Sequence, residues 1–528
     1  MMLTKAPPRT GRSAFFVALG ILCSRITGLI RQRVIAHYFG LELEADAWSA
    51  AFRIPNFLQN LFGEGALSAS FIPVYARFVS RGEGREADRV AGAVASLLAV
   101  VVSVIVLVGV LATPWLIDAI APGFTGEKRE LTVQIVRILF PGAGLLVLSA
   151  WCLGVLNSHH RFLLSYTAPV MWNAAMIATL LMFGGHTSLP RLAELLAWGS
   201  VVGSALQLAV QIPIVLRVAP DLRFRFDTAS SDVRAVVRNF VPVFVSRGVV
   251  QVSAYIDQLM SSYLPTGAPA AMTNALLLAT LPVSLFGMSV SAAELPTMSG
   301  VATGTSESHE ALRRRLDAGL RQIAFFVVPS AVAFLALGDI VAGAVLQTGR
   351  FGRGDSVYVW EILAGSAIGL LASTLGRLYS STYYALRDTR TPLNYAIVRV
   401  ALTTVFGYLF AFPLPRALGI DPAWGAAGLT ASAGIAGWVE MLLLRRGMNA
   451  RIGRTGLPAP YVAKLWTSAA AGAAVAWVVK MTLPALHPIV VATLVLGPYG
   501  VVFFATAFAL RVPEVSTALA RFGRLARR

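Results

Sequence analysis

Long apolar runs alternate with short polar or basic segments along the 528-residue chain. A helix needs about 20 predominantly apolar residues to cross the hydrocarbon core of a bilayer. Moving a window of that length along the chain predicts fourteen spanning helices, at residues 14–38, 45–76, 90–118, 131–156, 162–184, 192–216, 235–263, 269–292, 321–346, 357–384, 391–413, 421–444, 461–482 and 489–510. The pattern therefore predicts an all-α polytopic membrane protein.

The composition also favours a membrane protein. Hydrophobic residues make up 56% of the chain and charged residues only 13%, with a mean hydropathy of +0.69. Soluble domains carry about 25% charged residues. The sequence has no Walker A loop, no GxSxG elbow and no HExxH motif, and the six histidines show no metal-ligand spacing. We therefore predict that the chain is not an enzyme.

The net charge of +18 is unevenly distributed among the predicted loops. Basic residues concentrate in loops on the side of the membrane that carries the N-terminus, such as 76–89 and 445–456. By contrast, "LELEAD" and "LPTGAPAAM" on the other side contain no Lys or Arg. Because Lys and Arg favour the cytoplasm, both termini are predicted to be cytoplasmic. Membrane lipids are expected partners of the basic segments, and no nucleic acid is needed to explain the charge.

A weak internal repeat divides the chain. "NLFGEGALSASFIP" (60–73) resembles "SLFGMSVSAAELP" (284–296), and "CSRITGLI" resembles "VSRGVVQV" upstream of the second copy. Two related halves with a site between them are typical of transporters, although chance similarity between helices rich in Ser, Gly and Leu is the alternative. The predicted domains are a six-helix lobe at 1–222, a second at 223–450, and two further helices with a basic tail at 451–528.

Charged residues interrupt several of the predicted spans. Placing an arginine at the centre of a membrane-spanning helix costs at least about 2.5–3.5 kcal/mol on insertion scales. Because the predicted spans contain about eight arginines, we expect some of them to have a functional role. These arginines are Arg25, Arg31, Arg33, Arg53, Arg137, Arg247, Arg377 and Arg399.

The second span combines charges of both signs. Asp46, Arg53 and Glu64 fall in one amphipathic segment, and Asp46 and Arg53 are two helical turns apart. Pro55 and nearby glycines interrupt this helix, which is tolerated where a helix lines a cavity. With Arg25 and Arg31 on the preceding helix, these residues suggest a cationic cavity for an amphiphile with a phosphate or carboxylate head. Internal salt bridges that fix helix packing are the alternative.

The blocks "SRITGLIRQRVIAHYFG", "DAWSAAFRIPNFLQNLFGEGALSASFIPVYARF", "APGF" and "ALRDTRTP" resemble the MurJ (MviN) lipid II flippase family, in the exporter superfamily for multidrug, oligosaccharidyl-lipid and polysaccharide substrates. The resemblance covers essentially the whole chain. It implies fourteen helices and the bacterial cytoplasmic (inner) membrane. It also implies transport of lipid II, the undecaprenyl-diphosphate-linked precursor of peptidoglycan, with other cell-wall synthesis proteins as further partners.

The resemblance also assigns roles to individual residues. The family's cavity arginines match Arg25 and Arg31, its acidic positions match Asp46 and Glu64, and further basic positions match Arg53 and Arg377. Gln59 and Leu277 stand where family members carry arginines. Arg247 and Arg377 remain in the second lobe and could compensate for Leu277. The predicted substrate-binding residues are Arg25, Arg31, Asp46, Arg53, Glu64, Arg247 and Arg377.

No cofactor is expected apart from a sodium ion. Two carboxylates and a hydroxyl can form an oxygen-rich cation site, and Asp257, Asp388 and Thr404 match positions at which some family members bind sodium. Tyr384 replaces an asparagine ligand there, which weakens the case. The alternative is that Asp257 pairs with Arg247 or Arg377 and that Asp388 pairs with a loop arginine.

Two other functions stay open at this point. One is export of a drug or of another polyprenyl-diphosphate-linked sugar, although the arginine set argues against drugs. The other is a non-transporting scaffold for cell-wall synthesis, which Leu277 and Gln59 keep open.

Overall fold

The computed structural model describes residues 10–515 apart from 225, 227–229 and 302–305. The chain divides into two compact units, Met1–Gly267 and Ala268–Arg528. The described residues are helical and contain no β-strand, as the hydropathy pattern predicts. The predicted domain boundaries at 222 and 450 stay a prediction, and most of the basic tail (516–528) lies outside the described residues.

The N-terminal unit contains nine α-helices and one π-helical segment within its described residues. They are α1 (Thr10–Phe39), α2 (Leu43–Ala51), α3 (Arg53–Gln59), π1 (Asn60–Leu67), α4 (Ser68–Ser80), α5 (Gly84–Ile120), α6 (Gly126–Ser158), α7 (Phe162–Phe183), α8 (Leu189–Val218) and α9 (Ser231–Ser262).

The C-terminal unit repeats this all-helical construction. Its described α- and π-helices are α10 (Ala268–Pro282), π2 (Val283–Met288), α11 (Ser289–Val301), α12 (Ser306–Leu346), α13 (Arg353–Ala385), α14 (Arg390–Ala411), α15 (Pro413–Leu418), α16 (Gly425–Ile452), α17 (Ala459–Thr482) and α18 (Pro488–Ala509).

Eleven helical stretches of the described chain are long and apolar enough to cross a membrane. The other three predicted spans correspond to α1, to the interrupted helix α2–α4, and to α9. Charged residues lower the apolar character of these three, since they contain Arg25, Arg53 and Asp257 among others. A polytopic all-α membrane fold is therefore confirmed.

Both copies of the internal repeat adopt the same unusual backbone. The "LFG" of the first copy lies in π1, and that of the second copy lies in π2. Short π-helical turns inside α-helices are rare and frequently mark functional sites. Their recurrence at matching positions supports a repeat in local structure as well as in residue type.

Small residues bring α13 and α16 into close contact in the C-terminal unit. A Cβ atom added to Gly369 would lie only 2.2 Å from the Cα atom of Gly434. Close backbone approach through small residues is a common way for membrane helices to pack. Helix α13, which carries Arg377, therefore packs directly against α16, which carries Glu440.

Candidate functional site

Arg31 is held in place by neutral groups within the N-terminal unit. Its Nη1 donates a hydrogen bond to Asn173 Oδ1 on α7 at 2.8 Å. Its guanidinium carbon lies 4.7 Å from the ring centroid of Phe52 and 5.8 Å from that of Trp172. The Nε atom is buried and has no hydrogen-bond partner among the described residues. An arginine keeps its charge in proteins, and the Nε atom leaves the hydrogen-bonding capacity of this guanidinium incompletely used.

The aromatic rings beside Arg31 form a continuous stack. Trp48 and Phe52 are stacked at 5.0 Å between centroids, and Phe52 and Trp172 at 5.3 Å. The indole Nε1 of Trp172 donates to Ser200 Oγ on α8 at 2.9 Å. Helices α2, α7 and α8 therefore fix the surface on which the guanidinium lies. Sequence reasoning identified Arg31 but missed Asn173 and Trp172, which are more than 140 residues away along the chain.

Arg53 and Asp257 form a second charged group in the same unit. Arg53 begins α3 and interacts electrostatically with Asp257 and Tyr255 on α9. The Tyr255 hydroxyl donates to the Arg53 carbonyl oxygen at 3.4 Å. Among the described side chains, Arg53 is thus a charged partner of Asp257 that the sequence did not suggest. Arg25 lies on α1 with an exposed side chain.

Asp46 is completely buried and pairs with a charged residue that sequence reasoning missed. Lys128 at the start of α6 donates from Nζ to Asp46 Oδ2 at 2.8 Å, and the Gly267 backbone N–H donates to the same oxygen at 2.8 Å. Lys128 also donates to Thr266 Oγ1 at 3.0 Å. Asp46 lies on α2, whereas Arg53 begins the separate helix α3. Asp46 therefore connects the start of α6 to the chain after α9.

Two predicted site residues have side chains outside the described part of the structure. The backbone of Glu64 lies in π1 and that of Arg247 lies in α9. Gln59 ends α3 with a half-buried side chain.

The predicted residues of the C-terminal unit are spread over α10, α13, α14 and the segment between α13 and α14. Arg377 is exposed and interacts electrostatically with Arg399 on α14 and Glu440 on α16. Leu277, at the position of a family arginine, is half-buried on α10, and Tyr384 is exposed on α13.

The carboxylate of Asp388 is already well satisfied. Asp388 lies between α13 and α14, where Oδ2 accepts from Thr391 Oγ1 at 2.6 Å and from Arg451 Nη2 at 2.6 Å. Oδ1 accepts from the backbone N–H groups of Arg390 and Thr391, each at 3.0 Å. Thr404 Oγ1 donates to the Val400 carbonyl at 2.9 Å. No group of three His, Cys, Asp or Glu residues suited to a metal occurs among the described residues.

We expect the contribution of Asp388 to stability to depend on pH in the acidic range. Hydrogen bonds from Thr391, followed by Arg451, lower the pKa of Asp388 from 3.8 to about 2. The folded pKa lies below the unfolded one, so the stabilisation is complete above about pH 4 and disappears as the pH falls towards 2. The melting temperature of Asp388→Asn should therefore lie below that of the wild type at pH 6 and approach it near pH 2. A constant difference over this range would contradict the expectation.

Comparison with known proteins identifies the family. The family model described as lipid II flippase MurJ matches residues 35–509. A lipid II flippase MurJ from Burkholderia cenocepacia is 32% identical over 437 residues, which cover 81% of this chain and 82% of the relative. A probable lipid II flippase MurJ from Rhizobium tropici is 29% identical over 82% of this chain and 81% of its own length.

Two solved structures share the fold. The first is a lipid II flippase MurJ in an inward closed conformation, with a TM-score of 0.73 and 21% identity over 93% of this chain and 99% of that chain. The second is an inward-facing multidrug resistance MATE family transporter of the MOP superfamily, with a TM-score of 0.66 and 17% identity over 83% of this chain and 98% of that chain. Because the family model matches most of the sequence, the chain belongs to the lipid II flippase MurJ family.

Proposed function

We propose that this chain moves lipid II from the cytoplasmic to the outer leaflet of the bacterial inner membrane by alternating access. The observation that carries the proposal is the placement of Arg31. Arg31 lies on α1, within a largely apolar run. The partners of its guanidinium among the described side chains are the Asn173 amide and two aromatic rings. Such a group is suited to the diphosphate of a lipid carrier, because a guanidinium binds phosphate oxygens with a planar pair of donors.

The diphosphate would be bound by Arg25, Arg31 and Arg53, and α17 and α18 would form the apolar groove for the polyprenyl chain. Both termini would lie in the cytoplasm, as the distribution of basic loops suggests. An inside-negative potential would favour the inward return of a positively charged site by about 2.3 kcal/mol per charge per 100 mV. This reaction involves no covalent step and needs no nucleophile.

Complementation tests this function directly. The full-length chain should restore growth of a bacterium depleted of its own lipid II flippase, and lipid II should become accessible at the outer surface. Failure of both, at normal membrane abundance, would contradict the proposal. Growth without restored accessibility would instead favour a scaffold, and drug resistance without growth would favour drug export.

A sodium site over Asp257, Asp388 and Thr404 stays a prediction. The hydrogen bonds that Asp388 already accepts from Thr391 and Arg451 favour the alternative, in which it pairs with a loop arginine. Sodium, potassium and choline at equal ionic strength should therefore raise the melting temperature equally through general screening. A bound ion would instead stabilise the protein by about 2.7 kcal/mol at a hundredfold excess over Kd. A sodium-specific rise that Asp257→Asn removes would establish ion binding.

A further inference from the structure

Three charged side chains come together within the C-terminal unit, on α13, α14 and α16. Arg399 Nη1 donates to Glu440 Oε2 at 3.2 Å, and Arg377 interacts electrostatically with both residues. All three helices belong to stretches that are long and apolar enough to cross a membrane. Arg399 lies nine positions beyond the first residue of α14, which is about 13 Å along the helix axis.

The charges in this cluster do not balance. Two guanidiniums interact with one carboxylate, so the three side chains carry a net positive charge. An arginine at membrane depth is costly, and polar groups there usually mark substrate or ion pathways. An additional anion would balance the cluster and repay part of this cost.

The two members of the ion pair differ in accessibility. The Glu440 side chain is only 13% exposed, whereas that of Arg399 is 43% exposed, and Arg377 is also exposed. A guanidinium has five N–H donors, and Glu440 is bonded to Nη1 of Arg399. An incoming anion can therefore approach the exposed side of both arginines while Glu440 lies on the buried side.

We propose that Arg377 and Arg399 form a phosphate-binding pair, in which Glu440 is the resident anion that a lipid phosphate displaces from Arg399. The proposal rests on the proposed function, which brings a diphosphate lipid to this depth. Glu440 competes with the phosphate for Arg399, so it lowers the affinity and speeds release. Conduction through a membrane protein requires binding that is also weak enough for the substrate to leave. Glu440 is a positioning residue, since it acts on the ligand through Arg399.

The test measures binding of undecaprenyl diphosphate to the full-length protein in nanodiscs made from zwitterionic lipid. Glu440→Gln should bind this lipid at least about tenfold more tightly and release it more slowly, whereas Arg399→Gln and Arg377→Gln should bind about tenfold more weakly. Arg416→Gln, which changes an exposed arginine on α15, is the matched control and should bind like the wild type.

A second arm repeats the titration with phosphatidylglycerol. If the substitutions change the affinity for undecaprenyl diphosphate alone, the pair binds the transported lipid. If they change the affinity for phosphatidylglycerol alone, the pair binds a bilayer lipid. Either response supports a phosphate-binding pair. Unchanged affinity of Glu440→Gln and of both arginine variants for the two lipids would overturn it.

A charge swap distinguishes ligand binding from helix packing. Arg399→Glu combined with Glu440→Arg keeps an ion pair between α14 and α16 but moves the guanidinium to the buried side. We expect wild-type thermal stability and weakened phosphate binding, and wild-type binding would overturn the proposal. Complementation by the unmodified chain is scored separately. If the proposed function is wrong, complementation by the unmodified chain will fail. If only the phosphate-binding pair is wrong, the lipid-binding titrations will show it.

Discussion

Replacing Arg31 with alanine should reduce lipid II translocation by at least about tenfold while leaving the amount of protein in the membrane unchanged. The substitution removes the guanidinium that Asn173, Phe52 and Trp172 hold in place. Losing one charge-assisted hydrogen bond to a phosphate costs about 1.5–3 kcal/mol, which corresponds to about a 10- to 150-fold loss of activity. We expect a similar defect for Arg25→Ala.

Two further variants sharpen this test. Arg31→Lys keeps the positive charge but removes the planar pair of donors, so it should recover only part of the activity. Arg191→Ala removes an exposed arginine that pairs with Glu194 one turn away on α8, and it should have no effect. Translocation and membrane abundance must be measured in the same cells. Normal transport by Arg31→Ala would refute the cationic site, and a collapse in abundance would show that Arg31 is structural.

The sequence predicted Arg31 because its charge interrupts an apolar helix. That signal is local, since it needs only the residues on either side. The same local pattern predicted the helices, and the resemblance of 60–73 to 284–296 pointed to corresponding places in the two units. The π-helical geometry at both places was not predictable, because the sequence Leu-Phe-Gly does not distinguish a π-helical turn from an α-helix.

The partners of the charged residues were much less predictable than the residues themselves. Asp46 pairs with Lys128, which lies 82 residues further along the chain, and Arg53 interacts with Asp257 on α9. Helix periodicity reports only neighbours three or four positions apart. Such periodicity placed Asp46 and Arg53 on one face, whereas the structure divides the segment at Phe52 and gives each residue a distant partner. Tertiary packing therefore decides which charges balance each other.

Asp46→Ala should cause the largest loss of stability of any single substitution considered for the N-terminal unit. Asp46 is fully buried and Lys128 is only 13% exposed. Removing the carboxylate leaves the Lys128 ammonium and the Gly267 N–H without this acceptor. Breaking a buried ion pair by removing one partner costs about 3–5 kcal/mol. Thermal unfolding of the purified full-length protein, followed by tryptophan fluorescence, would measure the effect.

The pair Asp118–Arg129 provides an internal comparison for this prediction. It also involves the start of α6, which it connects with α5, but the side chains of Asp118 and Arg129 are 54% and 34% exposed. Because solvent screens exposed charges, Asp118→Ala should lower the melting temperature much less than Asp46→Ala does. An equal loss of stability for Asp46→Ala and Asp118→Ala would show that burial of the Asp46–Lys128 pair has no special effect.

A double variant separates the charge pairing from the remaining hydrogen bond. Asp46→Asn combined with Lys128→Met removes both charges and retains an oxygen that can accept from the Gly267 N–H. Because apolar or neutral replacement of a complete buried ion pair is often nearly neutral, the double variant should be more stable than either single variant. If the loss of stability in the double variant equals the sum of the losses in the two single variants, the two side chains are not coupled. The stabilising element would then be the hydrogen bond from Gly267 to Asp46, and Lys128 would contribute through its contacts with Thr266 and Phe124.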